Sequence, residues 1–373
     1  MRRHLVPVRL PLGLAGLAVL AAGVAMIPTL RSGGWNVSAL AHVNAATGLG
    51  AAARTMDPGF RTVHTGAYDG QFYWGIAVHP VPSGHVDRLF DKASYRYGHP
   101  LYGWLAWLLS GGRPRAAAAA LVIVSLVSLL AGAFLASVLG RARGGSGWEG
   151  LFVALNPGLI IAAANDLAEP LAALLMLAAF TALARGRVWV AWVVLALLPL
   201  AKEPLVLVVL GVALCELLRR RPARSLSFAA AAIPALCWWI YLRIHLGQWF
   251  TSGASALGTP FAGWNAALLE GKLRPPAGGS AIAIAALVAL LALLVFSAVR
   301  ALGSAGAVEL SYLALAIVAC CLAANATIAF STALRNTSLL LVLVPFVLSR
   351  ASRAAAPRPD ARFRPPRRRA ARS

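Results

Sequence analysis

An all-α, polytopic bundle of membrane-crossing helices is the fold class this sequence predicts, and three observations carry the prediction. Hydrophobic residues fill 60% of the 373 positions and charged residues only 12%, too few to clothe a water-soluble surface of that size. The apolar residues come in long runs rich in Ala, Leu and Val rather than in the alternation of half-buried strands. The 34 Lys and Arg, against 12 Asp and Glu, fall mainly in short breaks between those runs, where cytoplasmic helix ends carry them. That placement answers the nucleic-acid reading that a net charge of +22 would otherwise invite, and no nucleic acid partner is expected.

The runs predict about ten spans, at 8–30, 115–139, 148–164, 166–184, 188–201, 205–218, 225–244, 280–300, 308–330 and 336–349. The first follows Met1-Arg2-Arg3-His4. Its apolar stretch exceeds the ~7–15 residues of a signal-peptide core, so it reads as an uncleaved helix. Several later spans fall short of the ~20 residues that cross a bilayer upright. The pairs interrupted at Asn165-Asp166 and at Lys202-Glu203-Pro204 therefore read as broken or re-entrant helices, tolerated only where they line protein or a watery cavity.

Counting charges orients the bundle. With the N-terminus inside, the inner segments hold 21 of the 34 basic and four of the 12 acidic residues, an excess of 17; the outer face holds 13 and eight, an excess of five. Both termini are thus expected in the cytoplasm of a cell whose Ala- and Arg-rich composition suggests a high-GC bacterium, with the protein in its plasma (inner) membrane. Residues 1–349 form one transmembrane domain. Two long segments lie outside, 31–114 and 245–279; within the first, Leu101–Leu109 is too short to span and reads as a Trp- and Tyr-bearing interfacial helix. The tail 350–373, Arg-, Pro- and Ala-rich, is expected to be disordered; it either contacts anionic membrane lipids or simply fixes topology. Cys215, Cys237, Cys320 and Cys321 fall in apolar runs and read as small core residues.

In that orientation the unusual polar residues gather on the outer side: Asp69 in the first loop, Asn165, Asp166 and Glu169 at one helical junction, Lys202 and Glu203 at the next, and Arg335 just before the last span. Charges there are costly unless they face a cavity or each other. The bland reading for Lys202 and Glu203 is that they reach the interface and fix topology. The most specific string is Tyr68-Asp69-Gly70-Gln71-Phe72-Tyr73-Trp74-Gly75-Ile76-Ala77. Asp-Gly predicts a turn with Gly70 at positive φ and Asp69 as its cap. The same carboxylate, held at the bilayer surface by aromatic packing, also suits a general base for a hydroxyl acceptor.

At this string the chain resembles the GT-C glycosyltransferases, especially GPI-anchor mannosyltransferases of the second-mannose type and bacterial membrane proteins related to them. Tyr95-Arg96-Tyr97-Gly98-His99-Pro100-Leu101-Tyr102, Asn156-Pro157-Gly158, Asn165-Asp166-Leu167-Ala168-Glu169-Pro170, Ala201-Lys202-Glu203-Pro204-Leu205 and Leu257–Trp264 follow the family's order across roughly residues 8–350. The resemblance implies a GT-C-like bundle that transfers a sugar, mannose by the nearest likeness, from a polyprenyl-phosphate donor to an outer glycan or glycolipid acceptor. It implies Asp69 as base, with Asp166 and Glu169 orienting acceptor or cations. Arg96, Lys202 and Arg335 would hold the phosphate, and Tyr73 or Trp74 would stack on the sugar. Tyr68, Gln71, His99, Asn165 and Glu203 would complete the substrate site. No cofactor is implied, no metal-ligand spacing stands out, and a divalent ion bridging Asp69 and Asp166 has no support. Gly144-Gly145-Ser146-Gly147 lacks the Lys of a nucleotide-binding loop. Two other functions fit a charged bundle cavity: transport or flipping of a lipid-linked substrate, and a non-catalytic subunit of an envelope-glycan assembly complex.

Overall fold

The computed structural model describes residues 8–252, 256–275 and 279–349; the basic tail 350–373 and the first seven residues lie outside the described residues. Among the described residues every regular element is helical, with only three isolated β-bridges. In chain order the helices are α1 (Arg9–Ser32), α2 (Gly48–Met56), α3 (Gly70–Val78), α4 (Ala93–Arg96), α5 (Leu101–Ser110), α6 (Pro114–Ala142), α7 (Leu151–Ala154), α8 (Pro157–Ala164) and α9 (Glu169–Ala184). They continue as α10 (Val188–Ala201), α11 (Val206–Leu218), α12 (Pro222–Ala229), α13 (Ile233–Leu246), α14 (Ala262–Leu268), α15 (Ser280–Leu302), α16 (Ala307–Cys320), α17 (Ala324–Thr327) and α18 (Phe330–Leu348).

Helices occupy all ten predicted segments, but among the described residues five are long and apolar enough to cross a membrane: α1, α6, the run Pro222–Leu246 through α12 and α13, α15 and α18. The others are shorter, and their ends have local causes. Asn156 caps α8 by accepting from the Leu159 amide at 3.2 Å, with Pro157 at the first helical position. Pro204 has no amide hydrogen, so α10 stops at Ala201 and a 3₁₀ turn over Glu203–Leu205 leads into α11. The span predicted at 308–330 ends at Cys320, because the second long loop takes the freed carbonyls. The amides of Phe261, Gly258 and Gly263 donate to the oxygens of Cys320, Cys321 and Leu322. The last span begins at Phe330 rather than 336, so Arg335 lies inside α18 and not ahead of it.

α6 packs between α1 and α9, α9 against α10, α11 against α16, and α18 against α8, α15 and α16. Small buried residues, Ala18 and Ala22 of α1, Gly132, Ala133 and Ala136 of α6, and Ala172 and Ala173 of α9, let these backbones approach closely. On α15 the buried positions Ala283, Leu287, Leu290 and Leu294 form one stripe, while Ile282, Val288, Val295, Phe296 and Val299 are exposed on the others. A helix apolar on its inner and outer sides alike is what a hydrocarbon surrounding selects. The segment between α1 and α6 is no loose loop. Phe60, Trp74, Phe90, Tyr97 and Tyr102 give it a core of its own, continuous with Leu121 of α6 and Trp239 of α13.

A close contact between α8 and α18 fixes a test. A Cβ on Gly158 would lie 2.2 Å from the Leu334 carbonyl oxygen of α18, whereas one on Gly16 meets nothing within 4 Å. Gly158→Val is expected to lower the thermal midpoint of the detergent-solubilised protein by an overpacking cost of about 1–3 kcal/mol, and Gly16→Ala to leave it unchanged.

Candidate active site

A cavity of about 410 Å³ opens where α3, α4, α9, α11, α13, α16 and α18 meet. Its lining is charged in part: Asp69, Arg96, His99, Glu169, Lys202, Glu203 and Arg335, with Phe72, Tyr73 and Tyr95 among them. The rest is largely hydrocarbon, from Leu205, Val206 and Leu207, Leu315, Val318 and Leu322 of α16 and its end, and Leu339 and Leu340 of α18. Trp239 and Phe250, stacked with centroids 4.1 Å apart, also line it.

Asp69 is the centre of the charged part. It sits at the entry of α3 in ordinary helical backbone (φ −64°, ψ −18°), and its side chain caps nothing. A tight turn does form there, the Gln71 amide donating to the Tyr68 carbonyl at 3.3 Å, but Gly70 is the first residue of α3 and has no positive φ. Glycine is needed for close approach instead, since a Cβ would lie 2.4 Å from the Asn165 carbonyl oxygen. Freed from capping, the carboxylate accepts from Arg96 Nη1 at 2.9 Å through Oδ1 and from Arg335 Nη1 at 3.1 Å through Oδ2. Its side chain is 38% exposed, and it lines the cavity. Burial works against its ionisation, but Arg335 and then Arg96 outweigh it and hold the carboxyl below the usual range.

Each cation is held in turn. Arg96 Nε and Nη2 donate to the two oxygens of Asp91 at 2.9 and 3.0 Å, and its guanidinium lies 3.8 Å from the centre of the Phe72 ring. Such a two-point pair fixes the plane of the fork as well as its position. Arg335 reaches Glu169 with Nε 3.6 Å from Oε1 and faces the Tyr68 ring. Lys202 donates to the same Glu169 oxygen, and the Glu169 side chain is only 4% exposed. The first turn of α9 suits that carboxylate, because unpaired amides there favour negative charge. His99 Nδ1 lies 2.9 Å from Glu203 Oε2, with its ring edge-on to Tyr73 and Tyr95. Lys202 and Glu203 are therefore each paired with a partner that also lines the cavity.

Eight of the predicted site residues converge on the cavity: Asp69, Tyr73, Arg96, His99, Glu169, Lys202, Glu203 and Arg335. Four others do not line it. Asp166, at a left-handed φ of 49°, is wholly buried, and neither carboxylate oxygen has a hydrogen-bond partner among the described residues. Asn165 turns back on its own helix, donating to the Ile161 carbonyl at 2.7 Å. The Gln71 side chain accepts from the Asn44 amide at 3.4 Å and so braces the first loop. Tyr68 stands behind Arg335. Trp74, offered with Tyr73 as a sugar platform, is buried against Phe60. Asp91, Trp239 and Phe250 were not anticipated. The one sequence hint for Asp91 is an acid five residues ahead of Arg96 in a polar segment. Among the described residues no cluster of His, Cys, Asp and Glu has the grouping that holds a metal ion.

No protein-family model, no curated protein and no solved structure matches this chain.

The depressed carboxyls set a pH dependence. For Asp91, as for Asp69, burial opposes ionisation, and the bond to Arg96 brings the carboxyl below its ordinary value. A group held low by folding stabilises the fold above its unfolded pKa of about 4 and loses that contribution as pH falls through the folded value. The thermal midpoint should therefore drop below about pH 4. Asp91→Asn should lower the neutral-pH midpoint and make this acid limb shallower. An acid limb identical to wild type would contradict the pairing.

Proposed function

We propose that this chain is an integral membrane glycosyltransferase of the GT-C type. In this reading it transfers a sugar, mannose by the nearest likeness, from a polyprenyl-phosphate donor to a glycan or glycolipid acceptor. The bundle crosses the plasma membrane about ten times with both termini inside, and the cavity faces outward. The observation that carries the proposal is the mixed lining of the cavity, an ion-paired carboxylate and three cations together with hydrocarbon. An amphiphilic donor presents the same two chemistries, a phosphate at the interface and an isoprenoid tail in the bilayer. A soluble nucleotide sugar would leave the apolar lining uncovered.

The ion pairs suggest an order of events. At rest both Asp69 oxygens accept from guanidinium groups, which makes the carboxylate a weak base. Arg96 is anchored by Asp91 and keeps its place. Arg335 is shared between Asp69 and Glu169 and is the cation that an incoming phosphate draws away. A carboxylate released from Arg335 beside the sugar's anomeric carbon is then free to accept the acceptor hydroxyl's proton. The new carbon–oxygen bond forms as the bond to phosphate breaks. The electron pair leaves with the polyprenyl phosphate, whose charge Arg335 and Lys202 hold. Attack opposite the leaving group inverts the anomeric centre.

Transfer from a radiolabelled polyprenyl-phosphate sugar by purified protein in nanodiscs tests this. Asp69→Asn keeps the shape and removes the base, and turnover is expected to fall by roughly 10²–10⁴-fold while donor binding persists. Undiminished turnover would reject Asp69 as the base. Alternating exposure of the cavity to both aqueous sides, without transfer, would favour the transport reading.

A further inference from the structure

The opposite end of the bundle carries a second site. α9 runs from Glu169 to Ala184, a rise of roughly 24 Å at 1.5 Å per residue, and delivers Arg185 and Arg187. α11 ends at Arg219-Arg220-Arg221, and α12 presents Arg224 in its first turn. One buried carboxylate serves this cluster: Glu216 lies 3.3, 3.7 and 3.6 Å from Arg219, Arg221 and Arg224. Among the described residues Arg185, Arg187 and Arg220 have no carboxylate within ion-pair distance. Three guanidinium groups thus share one acid, and three more stand in the same two junctions without one.

An open groove runs between the start of α10 and α12, with Arg187, Trp189, Trp192, Val193 and Ser227 on its walls. Trp192 Nε1 donates to the Ser227 carbonyl at 2.7 Å, pinning the two helices together. Arg224 lies one turn before Ser227, so it stands on the same side of α12. Trp189 is 74% exposed and Leu226 73%. Arginine above, indole beside and aliphatic surface below is the vertical order of a lipid leaflet from headgroup to acyl chain.

We propose that this groove binds an anionic phospholipid, its phosphate held by Arg187 and Arg224 and its upper acyl carbons lying against Trp189 and Val193. Guanidinium forks match phosphate oxygens at two points. A zwitterionic headgroup would bring its own ammonium against five uncompensated positive charges, so the site selects lipids with net negative charge. The inference is independent of the proposed glycosyl transfer, because it uses no residue of the cavity.

The test is native mass spectrometry of the full chain released from nanodiscs of equimolar phosphatidylglycerol and phosphatidylcholine. Wild type is expected to retain the anionic lipid preferentially, and Arg187→Gln/Arg224→Gln to retain roughly tenfold less of it. Arg300→Gln, at the same end of the bundle, should retain as much as wild type. Inorganic phosphate should not displace the lipid, since it lacks the chains. Equal retention of both lipids, an equal loss in Arg300→Gln, or displacement by inorganic phosphate would each overturn the proposal. Should the double variant fail to fold, quenching in the wild-type protein decides. Fluorescence lost by Trp189→Phe must be the fraction that brominated phosphatidylglycerol quenches more than brominated phosphatidylcholine, and equal quenching by the two lipids would refute the site.

Discussion

Charge placed among apolar helices has to be answered locally, and that constraint organises one end of this molecule. Asp69, Asp91 and Glu169 meet Arg96, Lys202 and Arg335 in one chain of contacts, with the Glu203–His99 pair beside it, while Asp166 stays outside it without a partner among the described residues. The partners come from five separate parts of the sequence, and Asp69 and Arg335 are 266 positions apart. Closing the chain therefore ties the first loop to α9, to the α10–α11 junction and to α18. An isolated ion at this depth is costly to bury, and removing one member strands its partner. The network is thus both the clasp of the fold at this end and the polar part of its cavity's lining.

The cavity's chemistry comes from the contrast within its lining. A carboxylate between two guanidinium groups is common in soluble proteins and means little by itself. Here Leu315, Leu339 and Leu340 face the same space, so a ligand that satisfies the charges must also cover hydrocarbon. The two guanidiniums differ in freedom. Arg96 is fixed by a two-point pair and a ring beneath it, whereas Arg335 divides its attention between two acids. That asymmetry makes one cation a post and the other a latch.

Much of this was legible in the sequence, and the remainder was not for identifiable reasons. Helix positions followed from hydropathy because apolar length is a property of each run alone. The lining residues Asp69, Glu169, Lys202 and Arg335 stood out because charge beside an apolar run is anomalous wherever it occurs. Missing were the facts that depend on tertiary pairing. Asp91 carried no expectation, and its part appears only in the two-point pair with Arg96. Asp166 resembled its neighbour Glu169 in sequence, yet one residue enters the cavity and the other is buried behind it. Gly70 was expected for its backbone freedom and is required for its missing Cβ. The end of α16 at Cys320 depends on hydrogen bonds from a distant loop, which no local pattern encodes.

The account stands on Asp69 and Arg335 acting as one unit, and a double-mutant cycle in nanodiscs measures that directly. Thermal or denaturant stability would be compared for Asp69→Asn, Arg335→Gln and the pair. Coupled residues are expected to give losses that fail to add by roughly 0.5 kcal/mol or more, with the double variant less damaged than the sum of the singles. Losses that add to within about 0.3 kcal/mol would mean that the carboxylate and the guanidinium are neighbours without being partners, and the central claim would fail.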